Sequence, residues 1–391
     1  MQKYLFVLGR NPELSLMETA SFLQSHGFQH KMLSFNEHAA LVEVEEKNIQ
    51  EIQNSLGGIV KIGKVFIECE FKKEFLEKEL DKNDLVQQKK FFYSINNFSS
   101  SHNIANFLKD YLKKRFKQEK ARAVLKHGKH QVFSNPSQVI RLKLAETETD
   151  FLIYSKEKSL FIAKTVACFN PKELEQRDIK RPEQNPLQAI SLRLAKILIN
   201  LSQAKKEKTI LDPFCGIGTV LMEAMNLQIN AIGLDNDESM IEGAKRNLNW
   251  FKKKYNNSSN YKLFNAKAES ISKFVQKNEI DAVASEPYLG PLISFLPPEK
   301  KAKETIAELE KLYSAMFAEL SKIMKKESIV AIILPQIIAD SNKKFRANEK
   351  VFLNYGFKKF YIMCELKEHN PYLYRDEESK IERLIYILQK R

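Results

Sequence analysis

The chain has 391 residues, of which 43% are apolar and 29% charged. That supplies real cores and more than one domain, but no apolar run of bilayer length. Lysine and arginine outnumber the acids 63 to 49, a net charge of +14. The excess favours a polyanionic partner through counterion release along a phosphate backbone, although a lysine-rich proteome gives the same excess.

In chain order, the first apolar run, Tyr4-Leu5-Phe6-Val7-Leu8, is too short and too early for a signal peptide. Residues 3–9 read as a strand. Leu14, Met17, Phe22 and Leu23 recur at helical spacing before Gly27. Ala39 to Val44 reads as a second strand, and Ile49 to Leu56 as a short helix closed by Gly57 and Gly58. Residues 1–68 are therefore expected to form a small α+β domain.

Residues 69–169 read as a second unit, with a helix from Ile104 to Phe116 and strands at Ala121 to Lys126 and Leu160 to Val166. Between Lys109 and Lys129 lie nine basic residues and two acids. Lys113, Lys114, Arg115, Lys117, Arg122, Lys126 and Lys129 are the candidate RNA contacts, because basic side chains near aromatics suit phosphate contact and base stacking. The nearby Phe92, Tyr93, Phe98 and Tyr111 are assigned to the core. Residues 170–188, with Pro171, Pro182 and Pro186, read as a linker, and residues 189–391 as strands alternating with helices. The cysteines, Cys69, Cys168, Cys215 and Cys364, show neither metal spacing nor a disulfide framework, so a reducing cytoplasm is expected. His127 and His130, the one close histidine pair, read as solvated, and no metal is expected.

Thr209 to Leu211 is a short buried-type strand. Asp212-Pro213-Phe214-Cys215-Gly216-Ile217-Gly218-Thr219 follows and leads into a helix from Val220 to Asn226. Two glycines at a strand-to-helix turn let backbone pass close to a ligand beside free N–H groups. The next strand, Ala231 to Leu234, ends at Asp235, with Asn236 beside it. A carboxylate there suits ribose hydroxyls. The loop departs from G-x-G-x-x-G and lacks G-K-[ST], which argues against a nicotinamide site and excludes a P-loop. A third strand, Tyr261 to Phe264, brings Asn265 and Ala266 toward an adenine.

The fourth strand, Ile280 to Ala284, runs into Ser285-Glu286-Pro287-Tyr288, the expected chemical centre. The lone pair of a purine exocyclic amine is delocalised into the ring. The Ser285 hydroxyl and the Glu286 carbonyl would accept its hydrogens and aim that lone pair at a methyl sulfonium. Pro287 would fix the backbone and Tyr288 would stack on the base. The gain is positional and electrostatic. Residues from Leu289 to Lys303 read as a lid or an ordered loop, and Ile306 to Ile323 as a helix on the sheet.

These residues resemble the THUMP-containing tRNA guanine N2-methyltransferases, in particular the group acting on guanosine 10. The similarity runs through Tyr4 to Ser15, Arg177-Asp178, Arg181-Pro182, Asn185-Pro186, Leu211 to Thr219 and Gly233-Leu234-Asp235. It continues in Gly243-Ala244, Asn247-Leu248, Tyr372 to Tyr374 and Arg383 to Leu388. The resemblance implies an α/β fold: a C-terminal Rossmann-like S-adenosyl-L-methionine-dependent methyltransferase, its sheet mostly parallel with an antiparallel last strand, preceded by α+β ferredoxin-like and THUMP domains. It also implies tRNA as partner, Pro186 near the cofactor, and a monomer that takes at most a small activating subunit.

Two positions depart from the family's pattern. Ser285-Glu286-Pro287-Tyr288 replaces Asp-Pro-Pro-Tyr, and Asn265 stands where an acid is common. Glu286 reads as a solvated or capping acid, or as one that alters base choice or the proton path. The alternatives are N2-guanine methylation elsewhere in tRNA or rRNA, or a catalytically dead RNA-binding protein.

Overall fold

The computed structural model describes residues 1–45, 48–86, 88–126, 134–184, 190–293, 295–363, 370–374 and 381–391. The chain forms two compact units. One holds residues 1–16 and 27–174, the other residues 17–26 and 175–391.

The first unit contains, in chain order, β1 (Gln2–Leu8), the start of α1 (Pro12–Ser25), β2 (His30–Phe35), β3 (Ala39–Val44), α2 (Ile49–Ser55), β4 (Ile59–Glu70) and α3 (Lys73–Asp81). It continues with β5 (Lys90–Asn97), α4 (His102–Gln118), β6 (Arg122–Leu125), α5 (Pro136–Arg141), β7 (Asp150–Lys156) and β8 (Ser159–Cys168). All eight strands share one sheet, in the order β2-β3-β1-β4-β8-β7-β5-β6. The ladder between β4 and β8 joins the early strands to the later ones. Leu76, Leu80, Leu108, Leu112 and Phe116 on α3 and α4 pack with Ile67, Phe151 and Ile153 of the sheet. Leu5, Val7, Leu41, Leu152 and Tyr154 form a separate apolar cluster. Alternate residues of one strand thus serve different cores, as the period of two requires.

Within this unit lies a buried polar knot. The Asp150 carboxylate accepts from Lys61 Nζ at 2.7 Å, Asn96 Nδ2 at 2.7 Å, Ser134 Oγ at 2.8 Å and Thr165 Oγ1 at 2.6 Å, and also from the Ser94 hydroxyl. Burial works against this charge, but the Lys61 ammonium and the hydroxyl donors overrule it and hold the carboxyl below its ordinary range.

The second unit runs through α6 (Pro171–Asp178), α7 (Leu192–Leu201), β9 (Thr209–Asp212), α8 (Thr219–Asn226), β10 (Asn230–Asp235), α9 (Glu238–Tyr255), β11 (Tyr261–Asn265) and β12 (Ala282–Ser285). Then come α10 (Glu299–Ile323), β13 (Ile329–Ile338), β14 (Lys344–Arg346), α11 (Lys350–Leu353), β15 (Phe357–Lys359), β16 (Tyr372–Tyr374) and β17 (Ile381–Lys390). The sheet order is β11-β10-β9-β12-β13-β17-β15. The first five strands are parallel, and β17 is antiparallel to β13 from Ile329↔Gln389 to Ile337↔Ile381. This is the α/β Rossmann-like arrangement expected, antiparallel closing strand included.

Buried parallel strands read as continuous apolar runs, and Ile210, Leu211, Val283 and Ala284 are wholly buried. Ile306, Leu309, Tyr313, Met316, Leu320 and Ile323 of α10 belong to the same core cluster. Residues 299–303, expected in the lid, instead form the first turn of α10. The end of α1 belongs to this unit: Ser21 Oγ donates to the Asn200 carbonyl at 2.7 Å, and Asn200 Nδ2 donates to Glu18 at 2.7 Å. Among the described residues no helix is long and apolar enough to cross a membrane.

Candidate active site

The strand order reverses beside β9, whose neighbours are β10 on one side and β12 on the other. At such a switch point the chain leaves adjacent strands in opposite directions and opens a crevice at their carboxyl ends. Asp212 ends β9, Asp235 ends β10 and Ser285 ends β12. Three groups far apart in sequence therefore meet on one edge.

The loop after β9 is held by its own backbone. Cys215 N–H donates to the Leu234 carbonyl, and Gly218 N–H to the Cys215 carbonyl, both at 2.8 Å. Gly216 and Gly218 have φ of +50° and +83°, the left-handed region that glycine occupies without strain. A side chain on Gly216 would point into open space, whereas one on Gly218 would press on Ala244. Pro213, Cys215 and Thr219 are buried and Phe214 is half-buried. Burial pushes the Cys215 thiol well above its ordinary range, with the Asp212 and Asp235 charges adding to the effect, so the group is inert packing rather than a nucleophile.

Asp235 closes the loop from the far side. One carboxylate oxygen accepts from Gly216 N–H at 2.9 Å and the other from Asp237 N–H at 3.0 Å. Asp235 is partly exposed and Asn236 exposed. Each oxygen retains acceptor capacity toward a ligand hydroxyl. Ala266 N–H and the Asn265 side-chain amide both donate to the Asp235 carbonyl, at 2.9 and 3.2 Å. That turns the Asn265 amide nitrogen toward backbone, while its side chain sits exposed at the rim.

Ser285 Oγ donates to Asp212 Oδ1 at 2.6 Å, and both residues are almost completely buried. Burial pushes the Asp212 carboxyl up to about 7. The Asp235 and Glu286 charges add to this, against the hydrogen bonds from Ser285 and the Phe214 N–H. Glu286 is neither solvated nor a cap: its side chain is 10% exposed and accepts from Arg383 Nε of β17 at 2.5 Å. A buried carboxylate needs a partner, and the antiparallel strand brings one across the sheet. Pro287 is buried, and the ring of Tyr288 is 55% exposed. Its carbonyl accepts from the hydroxyl of the buried Tyr313 at 2.7 Å, so α10 anchors the backbone while the ring stays free to stack.

The pattern alone missed several of these braces. Asn247 of α9 accepts from Glu183 N–H at 2.9 Å and donates to the Ile217 carbonyl at 2.9 Å, which ties the lead-in segment to the loop. Arg181 Nη1 donates to Thr219 Oγ1 at 2.9 Å, and Arg177 Nε to the buried Glu223 at 2.8 Å. Pro186 and Lys129 lie outside the described residues. Lys113, Lys114 and Lys117 are exposed on α4, and Arg122 is exposed on β6. Arg115 pairs with Glu119 and Asp81, and Lys126 lies over the Phe92 ring at 5.0 Å. Tyr93 and Phe98 are buried, while Phe92 and Tyr111 are half-buried.

Residues 180–351 match the family model described as the RMKL-like methyltransferase domain, and residues 18–246 match a DNA methylase model. The chain is 32% identical over 186 residues to the tRNA (guanine(10)-N2)-dimethyltransferase of Pyrococcus abyssi, a match covering 47% of this chain and 53% of that one. It thus spans about half the length of that relative. A Methanothermococcus thermolithotrophicus protein, named "Probable tRNA (guanine(10)-N2)-dimethyltransferase", is also 32% identical, over 34% of this chain and 75% of its own. Among solved structures, TrmN from Thermus thermophilus aligns over 100% of both chains at 14% identity, with a TM-score of 0.53, a likeness of fold.

Proposed function

The chain belongs to the methyltransferase family whose curated members are named tRNA (guanine(10)-N2)-dimethyltransferase, and from that premise we propose that it methylates the exocyclic N2 of a guanosine in tRNA, at position 10. The observation that carries this reading is the convergence of the Asp212–Thr219 loop, Asp235 and Ser285–Tyr288 on one sheet edge.

The cofactor is S-adenosyl-L-methionine, which supplies an electrophilic methyl group when bound. The residues fit it. Asp235 offers carboxylate lone pairs to ribose hydroxyls, Gly216 leaves its side-chain direction open, and Phe214 with Ala266 offers partly buried apolar surface. Asn265 and Asn236 sit at the rim. On the substrate side, the Tyr288 ring stacks on a base presented out of its helix. The Ser285 hydroxyl already donates to Asp212, so its lone pairs are what it offers to the amine hydrogens. Pro287 and the Tyr313–Tyr288 bond hold the tetrapeptide still while this happens. Methyl transfer is then accelerated by alignment and fixed dipoles.

Residues 1–68 and 69–169, apart from the end of α1, serve as ferredoxin-like and THUMP modules; the segment 170–188 expected as a linker instead carries α6, and its described residues from Glu175 on belong to the catalytic unit. Lys113, Lys114 and Lys117 on α4, with Arg115, Arg122 and Lys126, face tRNA phosphate, and Lys129 is a further candidate contact by its sequence. The protein acts in the cytoplasm as a monomer, with at most a small activating subunit.

The test is incubation of purified protein with labelled S-adenosyl-L-methionine and unmodified tRNA transcripts, followed by nucleoside analysis. N2-methylated guanosine mapping to position 10, and lost in Ser285→Ala and Asp235→Ala, is the expected result. Label confined to rRNA, or none, overturns the assignment to tRNA.

A further inference from the structure

Among the described residues of the catalytic unit, one buried carboxylate has no cation on it. Asp212 Oδ1 accepts from Ser285 Oγ at 2.6 Å and from the Phe214 N–H at 3.1 Å. The charged groups around it are also acids, Asp235 and Glu286, and Arg383 pairs with Glu286 rather than with Asp212. The Cys215 thiol beside it is kept neutral by burial. A cofactor-loop brace needs only an acceptor for the Phe214 N–H, which an asparagine supplies equally well. An ionisable group is costly here, and its position behind Ser285 gives it something to do.

We propose that Ser285 and Asp212 form a two-step proton relay, in which Asp212 is the final acceptor of the proton that the amine loses. The proposal rests on the amine-methylating reading above. As the methyl carbon leaves sulfur and bonds to N2, the sulfonium becomes a neutral thioether and the nitrogen becomes cationic. Ser285 Oγ takes one N2 proton while its own hydroxyl proton passes to Asp212 Oδ1. The products are the neutral methylamine, the thioether and a protonated Asp212, which returns its proton to water after product release. Electrons and protons balance without another reactant. Asp212 acts through Ser285, so it is a positioning and proton-holding residue rather than one that touches substrate. Serine at the head of the tetrapeptide thus still works with a carboxylate, one that sits on the neighbouring strand.

The test is single-turnover methyl transfer to tRNA as a function of pH, run beside equilibrium binding of S-adenosyl-L-methionine. In the wild type the rate should rise with pH through neutrality, because only ionised Asp212 accepts a proton. Asp212→Asn keeps both hydrogen bonds and should bind the cofactor normally, yet fall about 100-fold in rate and lose the step. Adding Ser285→Asp to Asp212→Asn places a carboxylate directly against the amine and should recover at least tenfold, with the step moved toward acid. Asp212→Asn at wild-type rate, or a double variant with no recovery while cofactor binding holds, would overturn the relay alone. A wild type inert on every RNA would remove the substrate reading and the relay with it.

Discussion

Two buried carboxylates, one in each unit, show how surroundings set the job of an acid. Asp150 and Asp212 are both at strand ends, and burial penalises both charges. Asp150 has a lysine and a ring of hydroxyl and amide donors, and its charge is held in place. Asp212 has two hydrogen bonds and acidic neighbours, and its proton is easily gained and lost near neutrality. The first arrangement ties strands together; the second suits proton transfer.

The sharpest way to break this contrast is Lys61→Met. It strands the Asp150 charge in the interior and should cost about 3–5 kcal/mol of stability, read by denaturant unfolding. At Asp212 the sign reverses. Its folded value, about 7, lies above the ordinary 3.8, so the protonated form fits the fold. The stability this provides is complete below the unfolded value and is lost as pH rises through the folded one. Asp212→Asn should therefore raise thermal stability at pH 8, by up to about 4 kcal/mol, and do little near pH 4. Asp150 behaves oppositely, its contribution being present above the ordinary carboxylate range and lost as pH falls through its depressed folded value.

Smaller changes probe the frame around Asp212. A Cβ at Gly233 would lie 2.5 Å from Leu221 Cδ1 and 2.9 Å from Cys215 Sγ. Gly233→Ala should cost about 1–3 kcal/mol and weaken cofactor binding, measured by calorimetry, because the loop must shift. Tyr313→Phe removes the bond to the Tyr288 carbonyl and should cost about 1 kcal/mol. It should raise KM for RNA and leave cofactor affinity unchanged.

What could be read from the chain beforehand followed from local rules. The glycine turn after β9, the acid ending β10 and the tetrapeptide ending β12 each lie within a few residues of their own strand, and period and punctuation reveal them. Helix α10 was equally plain in its spacing. Pairings at long range were not. Ser285 is 73 residues from Asp212, Arg383 is 97 from Glu286 and Lys61 is 89 from Asp150. Each pair is created by the order of strands in the sheet, adjacent for Ser285 and Asp212 and one strand apart for the other two, and single-strand patterns do not encode that. Strands β2, β4, β5 and β7 also escaped; in β2, β5 and β7 mixed polar and aromatic residues answer to cross-strand partners rather than to strict alternation. The solvated or capping reading of Glu286 failed for the same reason: its counterion arrives on β17, the last strand in the chain.

The discontinuous make-up of the catalytic unit has a consequence for synthesis. Glu18 and Ser21 complete a packing surface whose other half, around Asn200, is about 180 residues further along. At translation speeds of roughly 5–20 residues per second, that helix segment waits some 10–35 seconds on the ribosome for its partner. During that interval its apolar side chains Met17, Phe22 and Leu23, buried in the finished protein, are without that packing surface.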